Sequence, residues 1–335
     1  ELIINQPAHL RVEHTKLFTM DYAIGVDIGG TNTKFGIVDK RGNIVHQSRM
    51  RTTDYEQVGA FVDDLYEHLL PLIQEVGGIE MIKGIGIGAP NGNYYKGTIE
   101  FAPNLKWKGI VPMVSIVQEK FKIPATLTND ANAAAQGEMM YGAAKGMKDF
   151  IVITLGTGVG SGIIVNGQLV YGHDGFAGEL GHVTVIPDGR PHWGTELKGS
   201  LEAYCSATGI KLTAIELLER YSDKPSPLRD IPTEEIDSRV VCECALNGCE
   251  ISKEIFQFTG EVLGRALANF IMFSSPEAIV LFGGVTASGD LLMKPTRYAM
   301  EANLLPIFQN KVKLLFSDLK EADAAILGAS ALVWE

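Results

Sequence analysis

The sequence predicts an α/β protein of two similar lobes facing each other across a cleft. Two observations carry this prediction. The first is that a unit of strand, tight glycine turn and strand occurs twice. Its first copy is Gly25-Val26-Asp27-Ile28-Gly29-Gly30-Thr31-Asn32-Thr33-Lys34, set between apolar runs at 23–26 and 35–38; its second is Gly156-Thr157-Gly158-Val159-Gly160-Ser161-Gly162, set between runs at 150–155 and 163–165. The turns that follow also correspond, Arg41-Gly42-Asn43 in one copy and Asn166-Gly167 in the other, each leading to a third short strand. The second observation is that helices and glycine-tipped strands alternate after the first unit, the α/β pattern. Copies this far apart are not solenoid repeats, which recur every few tens of residues.

The hairpins suit phosphate. Consecutive glycines let the backbone approach a polyphosphate closely, leaving the Gly30 and Thr31 amides, the Thr31 and Thr33 hydroxyls and Lys34 to contact its oxygens. Asp27, at the end of the first strand, would face a magnesium ion through water. One such motif alone is equally well an ordinary turn; its recurrence favours the phosphate reading. At this point the sequence resembles the sugar kinase, Hsp70 and actin superfamily of ribonuclease H-like folds, in which two such hairpins grip the phosphates of ATP from opposite sides and the active-site cleft lies between the lobes.

A chain of 335 residues has room for two full cores, and 46% hydrophobic with 21% charged residues is an ordinary globular composition. A net charge of −11 argues against a nucleic-acid partner and for a cytoplasmic protein. Apolar stretches are broken by charge before they reach membrane-spanning length, and the first residues lack the apolar core of a signal peptide. The expected organisation is an extension over 1–21, with Met20 a candidate original start, an N-terminal lobe over 22–129 and a C-terminal lobe over 130–335 whose last helix can pack back onto the first lobe. Three of the four cysteines, Cys242, Cys244 and Cys249, fall inside one expected helical stretch, which fits a reducing compartment.

In order, Asp54 is an expected cap for a helix carrying Phe61, Val62, Leu65, Leu69, Leu72 and Ile73 at helical spacing. Gly77-Gly78 ends it, and 82–88 follows as a buried strand ending in the turn cluster Ala89-Pro90-Asn91-Gly92. The segment 94–112 is irregular beyond a short strand and turn. A helix over 114–121 and a strand over 124–127 lead into Thr128-Asn129-Asp130-Ala131-Asn132. There either Asn129 or Asp130 suits a helix N-cap, and taken alone capping accounts for the pattern; a carboxylate at that place could equally act as general base toward a hydroxyl. After the second hairpin, Glu179 and His182 stand three apart in a glycine-flanked loop, so one helical turn puts them on the same face. The chain is then mostly helical from 203 to 274, with a polar interruption at 222–229. A buried strand follows over 278–282, ending at Gly283-Gly284, then a strand over 312–316 and an alanine-rich closing helix over 322–333.

Together the pieces Asp27-Ile28-Gly29-Gly30-Thr31, Asn129-Asp130-Ala131-Asn132, Glu179-Leu180-Gly181-His182 and Gly199-Ser200-Leu201-Glu202 resemble the ROK family of sugar kinases and related repressors, most closely its bacterial glucokinases, over nearly the whole chain. The resemblance implies that Asp130 is the catalytic base that takes a proton from a sugar hydroxyl as it attacks the γ-phosphate of ATP. It implies that Asn104, Asn129, Glu179, His182 and Glu202 hold the other hydroxyls of a hexose. Gly29, Gly30, Thr31, Lys34, Thr157 and Gly158 then meet the phosphates, Gly283 and Gly284 the nucleoside, and ATP with Mg²⁺ is the cofactor. Glucose is the expected substrate, with N-acetylglucosamine, N-acetylmannosamine, mannose or fructose as alternatives, and a homodimer is the expected assembly.

One departure from the family pattern stands out. Many members bind a structural zinc through the histidine of the Glu-x-Gly-His motif and three cysteines just before the Leu-Glu pair. Here Trp193, Thr195 and Ser200 replace the cysteines, and a lone His192 cannot complete a four-ligand site, so no structural zinc is expected. Trp193 would pack this loop by burial, while Thr195 and Ser200 bond the backbone locally. Two rivals remain. A sugar-sensing repressor of the family would carry a DNA-binding domain ahead of this fold, and only 26 residues precede Asp27; an ATPase without a sugar would leave Asn104, Glu179, His182 and Glu202 without a role.

Overall fold

The computed structural model describes residues 21–334, so the expected extension over 1–21 lies, Asp21 apart, outside them. Two five-stranded sheets of the same design form the frame. In the first, β1 (Tyr22–Ile28), β2 (Asn32–Asp39) and β3 (Ile44–Arg51) make an antiparallel meander, and β4 (Ile82–Ala89) and β8 (Ala125–Asn129) add in parallel, giving the order β3-β2-β1-β4-β8. In the second, β9 (Phe150–Leu155), β10 (Val159–Val165) and β11 (Gln168–Leu169) repeat the meander, and β12 (Ala278–Phe282) and β13 (Lys313–Phe316) add in parallel, giving β11-β10-β9-β12-β13. The duplication read from two hairpins thus extends to whole sheets.

Strands with near-continuous apolar runs must be covered on both faces, which requires helices on each. In the first lobe α1 (Val58–Glu75) and α2 (Met113–Phe121) bury Phe61, Leu65, Leu69 and Val117 against Phe35, Ile85 and Ile87. In the second, α4 (Glu202–Cys205), α5 (Ala207–Arg220), α6 (Ser238–Leu246), the 25-residue α7 (Glu250–Ser274) and α8 (Asp290–Ala302) share one core with Ile151, Ile153, Ile279 and Leu281. The other faces meet in the middle of the molecule. There α3 (Asp130–Tyr141) packs on β9 and β10, while α9 (Glu321–Ala331) packs on α3 and on β1, β2 and β4. Glycines in the first sheet make that approach close, since a Cβ on Gly25 would strike the Ile326 carbonyl and one on Gly86 the Ala329 carbonyl. Among the described residues no helix is long and apolar enough to cross a membrane.

Several local expectations need correction. Asp54 does not cap α1; it closes a 3-10 turn over Thr52–Asp54, and the N-cap place falls to Gln57, which makes no side-chain cap. The cause is distant in sequence: the Thr52 amide donates to the Thr31 carbonyl at 2.9 Å, and the Thr52 hydroxyl is tied to Thr33, so this turn belongs to the hairpin rather than to the helix. The irregular segment after residue 91 holds a small sheet of β5 (Gly92–Asn93), β6 (Thr98–Glu100) and β7 (Ile110–Val111). The three cysteines do not share one helix, because Asn247 and Gly248 break the chain and Cys249 sits at the N-cap of α7.

Candidate active site

The handover from β8 to α3 sets the base of the cleft. Asn129 is extended (φ −61°, ψ 148°) and its side chain accepts the Ala131 amide at 2.9 Å, so the capping expectation for this residue holds. Asp130, the first helical residue, turns its Oδ1 onto the same amide at 2.8 Å. Its carboxyl opens into the cleft yet lies deep among protein atoms, and that loss of hydration pushes its pKa above the usual carboxylate range, with the backbone hydrogen bonds pulling the other way. A carboxyl so perturbed is a stronger proton acceptor near neutrality than an ordinary one.

A cavity of about 540 Å³ opens over Asp130 and brings together Lys34, Asn104, Asn129, Thr157, Gly158, Glu179, His182, Glu202, Gly283 and Gly284. These include all five residues that the resemblance assigned to the sugar. Asn104 arrives on the loop after β6, which is pinned by buried Leu105 and by Trp107, whose indole N–H donates to the Tyr55 carbonyl at 3.1 Å. Glu179 and His182 flank a short 3-10 turn, with Glu179 Oε2 4.0 Å from His182 Nε2. That turn sits tight on β10, where Gly181 lies against the Val159 carbonyl and Ser161 accepts the Leu180 amide at 3.3 Å. Burial pushes Glu179 upward; His182 offsets part of this, and Asp130 and Glu202 add to the rise. His182 Nδ1 is buried without a hydrogen-bond partner among the described residues, a polar group in need of one.

Glu202 opens α4 with both oxygens engaged, Oε2 accepting the Val159 amide at 2.7 Å and Oε1 bonded to His192. His192 is the residue that sequence reasoning passed over, having weighed it only as a metal ligand. Its loop is held by Arg190, which donates to the carbonyls of Ala203 at 2.5 Å and Gly209 at 3.1 Å, pairs with Glu216 at 2.7 Å and stacks on Tyr204. Trp193 does not fill the core as expected: it stays 47% exposed and lies over the His192 ring at 4.2 Å, since Arg190 already occupies the interior. Thr195 and Ser200 do bond locally, Ser200 accepting the Ala203 amide at 3.3 Å and Thr195 meeting His192. This donor set does not fit zinc. Both nitrogens of His192 are spoken for inside the protein, Cys242 and Cys244 lie on α6 and Cys249 at the N-cap of α7, and among the described residues no three His, Cys, Asp or Glu gather as a metal-binding group.

The two hairpins differ in what they offer. In the first, Gly29, Gly30 and Thr31 lie outside the cavity lining, and Gly30 is covered by Asn104, 2.9 Å from where a Cβ would stand. The Thr33 hydroxyl is not available to phosphate; it is fully buried and bonded to Thr52 at 2.8 Å. Strand alternation is the reason, for Thr33 points to the opposite face from Lys34, which does line the cavity. Asp27 lines a smaller adjoining cavity of about 190 Å³ together with Asp130 and Thr154. Burial, then the Asp130 charge, push Asp27 up to about 7, with Lys34 offsetting part of the rise. Asp27, Asp130 and Thr154 are hard oxygen donors, of the kind that meets a divalent cation through water, and among the described residues no three His, Cys, Asp or Glu gather as a direct metal-binding group.

Residues 23–335 match the ROK family. The chain belongs to the ROK family. The glucokinase of Halalkalibacterium halodurans is 34% identical over 315 residues, 92% of this chain and 94% of that protein. The structure of a ROK family glucokinase from Streptomyces griseus in complex with glucose and AMPPNP superposes with a TM-score of 0.76 at 30% identity, covering 93% of this chain and 98% of that one. A third relative is of another kind: the xylose repressor of Bacillus spizizenii, 30% identical over 321 residues, 94% of this chain and 77% of the repressor. The two-lobed fold is therefore that of ROK sugar kinases, and the choice between turning over a sugar and sensing one falls to the site. Beyond the expected residues, Asn91, Asn132, Thr154 and Ser161 also line this ROK cavity. Asn91 stood in a recognised turn cluster and Asn132 two residues after Asp130, so proximity to a motif was the available signal for both.

Proposed function

We propose that this chain transfers the γ-phosphoryl group of ATP to a hydroxyl of a hexose, with glucose yielding glucose 6-phosphate as the leading case. The observation that carries the reading is a single cavity lined by a carboxyl at a helix start, by five polar side chains suited to a polyol and by glycine turns. Carboxylates, amides and imidazole recognise a polyol through paired donors and acceptors, and a missing hydroxyl would leave one of them unpaired, which makes such a site selective.

In the proposed mechanism Asn104, Asn129, Glu179, His182 and Glu202 orient the sugar so that its reactive hydroxyl meets Asp130. Asp130 accepts the hydroxyl proton as the oxygen attacks phosphorus, and its raised affinity for protons favours that transfer. Lys34, the Gly158 and Thr157 backbone and the turn at Gly283 and Gly284 face the nucleotide, while Gly29, Gly30 and Thr31 shape the first hairpin beneath it. Mg²⁺, held through water by Asp27, would neutralise polyphosphate charge. The reaction belongs in the cytoplasm, where ATP and free hexose meet.

The similarity to a xylose repressor gives the second reading, a ROK sensor that binds sugar without turning it over. A panel of glucose, mannose, fructose, N-acetylglucosamine and N-acetylmannosamine with ATP and Mg²⁺, read by ADP release, separates the two. Sugar-dependent ADP release supports the kinase and its ranking names the substrate; calorimetric binding of a sugar with no ADP release supports the sensor.

A further inference from the structure

We propose that His192 is a positioning residue for sugar recognition, acting through Glu202. The inference rests on the reading of Glu202 as a hexose contact. His192 is only 5% exposed and does not line the cavity, whereas Glu202 does. Its Nδ1 accepts the backbone N–H of Gly194 at 3.1 Å and of Thr195 at 3.0 Å. An imidazole nitrogen that accepts two amide protons carries none of its own, so the ring proton sits on Nε2 and is donated to Glu202 Oε1. The loop backbone thus fixes the tautomer, and the tautomer fixes the carboxylate.

On its other oxygen Glu202 receives the Val159 amide at 2.7 Å, and Gly158 lies against the same oxygen with no room for a side chain. Clamped from both sides by donors, the carboxylate is an acceptor in one orientation. It can therefore bind only a donating group, which a sugar hydroxyl is. A buried histidine whose bonds are merely satisfied would also look like this, but it would support the fold without favouring the sugar over the nucleotide. That difference is measurable.

The test is calorimetric titration of the five sugars above and, separately, of ADP into wild type, His192→Ala, His192→Gln and Glu202→Gln, with steady-state kinetics on the best sugar. Loss of a buried hydrogen bond to a charged group predicts sugar affinity about 10- to 100-fold weaker in His192→Ala. ADP affinity should be unchanged, and KM for the sugar should rise while kcat stays within about 3-fold. His192→Gln, which keeps a donor where Nε2 was, should recover most of the loss. In a Glu202→Gln background His192→Ala should add little, because the two act as one unit. Unchanged sugar affinity in His192→Ala, or sugar and ADP affinity falling together in both His192 variants, overturns the proposal. If wild type binds ADP but none of the sugars, the kinase reading fails first; if wild type binds a sugar and His192→Ala binds it equally well, only the role of His192 is lost.

Discussion

The two hairpins sit in sheets of identical order and direction, yet matching places hold different chemistry. The second-to-last residue of β1 is Asp27, paired across the turn with Lys34 and on its other side with Gly88; the second-to-last residue of β9 is Thr154, paired with Gly160 and Phe282. One lobe places opposite charges at the cleft where the other places a hydroxyl and a bare backbone. The same asymmetry holds at the last strand of each sheet. β8 hands over to Asp130, whereas β13 leads to α9, which serves as packing for the first sheet. Duplication therefore supplied the frame, while the carboxyl groups differ in where they arise: Asp27 and Asp130 stand on or directly after strands of the first sheet, whereas Glu179 and Glu202 reach the cavity from the segment that follows β11. What the hairpins do share is a glycine covered by a polar residue of the cavity, Gly30 by Asn104 and Gly158 by Glu202.

The largest effect is expected from Asp130→Asn, because the carboxylates of the second lobe in this cavity are placed otherwise, Glu202 being held by Val159 and His192 and Glu179 lying beside His182. It keeps the shape and removes the proton acceptor, so turnover should fall by at least about 10³-fold while sugar and nucleotide still bind. Near-normal ADP release from the variant would remove Asp130 from the mechanism.

Next in size are the paired substitutions Gly30→Ala and Gly158→Ala. Both lie on turns expected to meet phosphate, but the added methyl would meet Asn104 in one case and the Glu202 carboxylate in the other. Each should therefore raise KM for the sugar, on the order of 10- to 100-fold for a displacement near 1 Å, more than it raises KM for ATP. A rise confined to ATP in either variant would show that the hairpin glycines serve the phosphates alone.

How much of this was legible in the sequence follows the range of the forces involved. Strands β1, β2, β9, β10 and β12 announce themselves because apolar runs ending in glycine are local signals. The two- and three-residue strands β5 to β7 are too short to carry a period. Asp54 looked like a cap because its competitor, the Thr33 to Thr52 hydrogen bond, joins residues 19 apart. Asp130 was ambiguous from spacing alone; its place in a family motif, rather than its neighbours, singled it out. His192 was missed for the opposite reason, since comparison with a cysteine motif framed the loop as a question about metal and drew attention from an imidazole that bonds the very glutamate under discussion.

A smaller effect probes the charge asymmetry directly. Asp27 is raised from 3.8 to about 7 by burial and by Asp130, so the folded state prefers it protonated. The stability this group contributes is complete below pH 4 and is lost as pH rises through about 7. Asp27→Asn is then expected to be more stable than wild type at pH 8, on the order of 1–3 kcal/mol in urea unfolding without added Mg²⁺, the gain shrinking as pH falls toward 5. Turnover should nonetheless drop, and Mg²⁺ should raise the stability of wild type at pH 8 more than that of the variant. A variant less stable than wild type at pH 8 would mean that attraction to Lys34 outweighs burial and Asp130, and the first lobe would no longer carry excess negative charge.

The smallest expected effect is none at all, and it concerns the loop that fixes the Glu202 carboxylate in the site. In members of the family that keep three cysteines, zinc is what the resemblance assigns to ordering this loop. Here Arg190 ties its start to α4 and α5, backbone bridges join Pro191 to Lys198 and Thr184 to Ser200, and His192 closes onto Glu202. Each contact is made by protein atoms, so the loop needs no ion to hold its shape. A strong chelator of transition metals, with Mg²⁺ kept in excess, should therefore leave both the thermal midpoint and the turnover unchanged. Stoichiometric zinc in the purified protein, lost together with activity on chelation, would overturn this and make His182, whose Nδ1 has no hydrogen-bond partner among the described residues, the first ligand to examine. The lobes would then differ by a metal as well as by their charges.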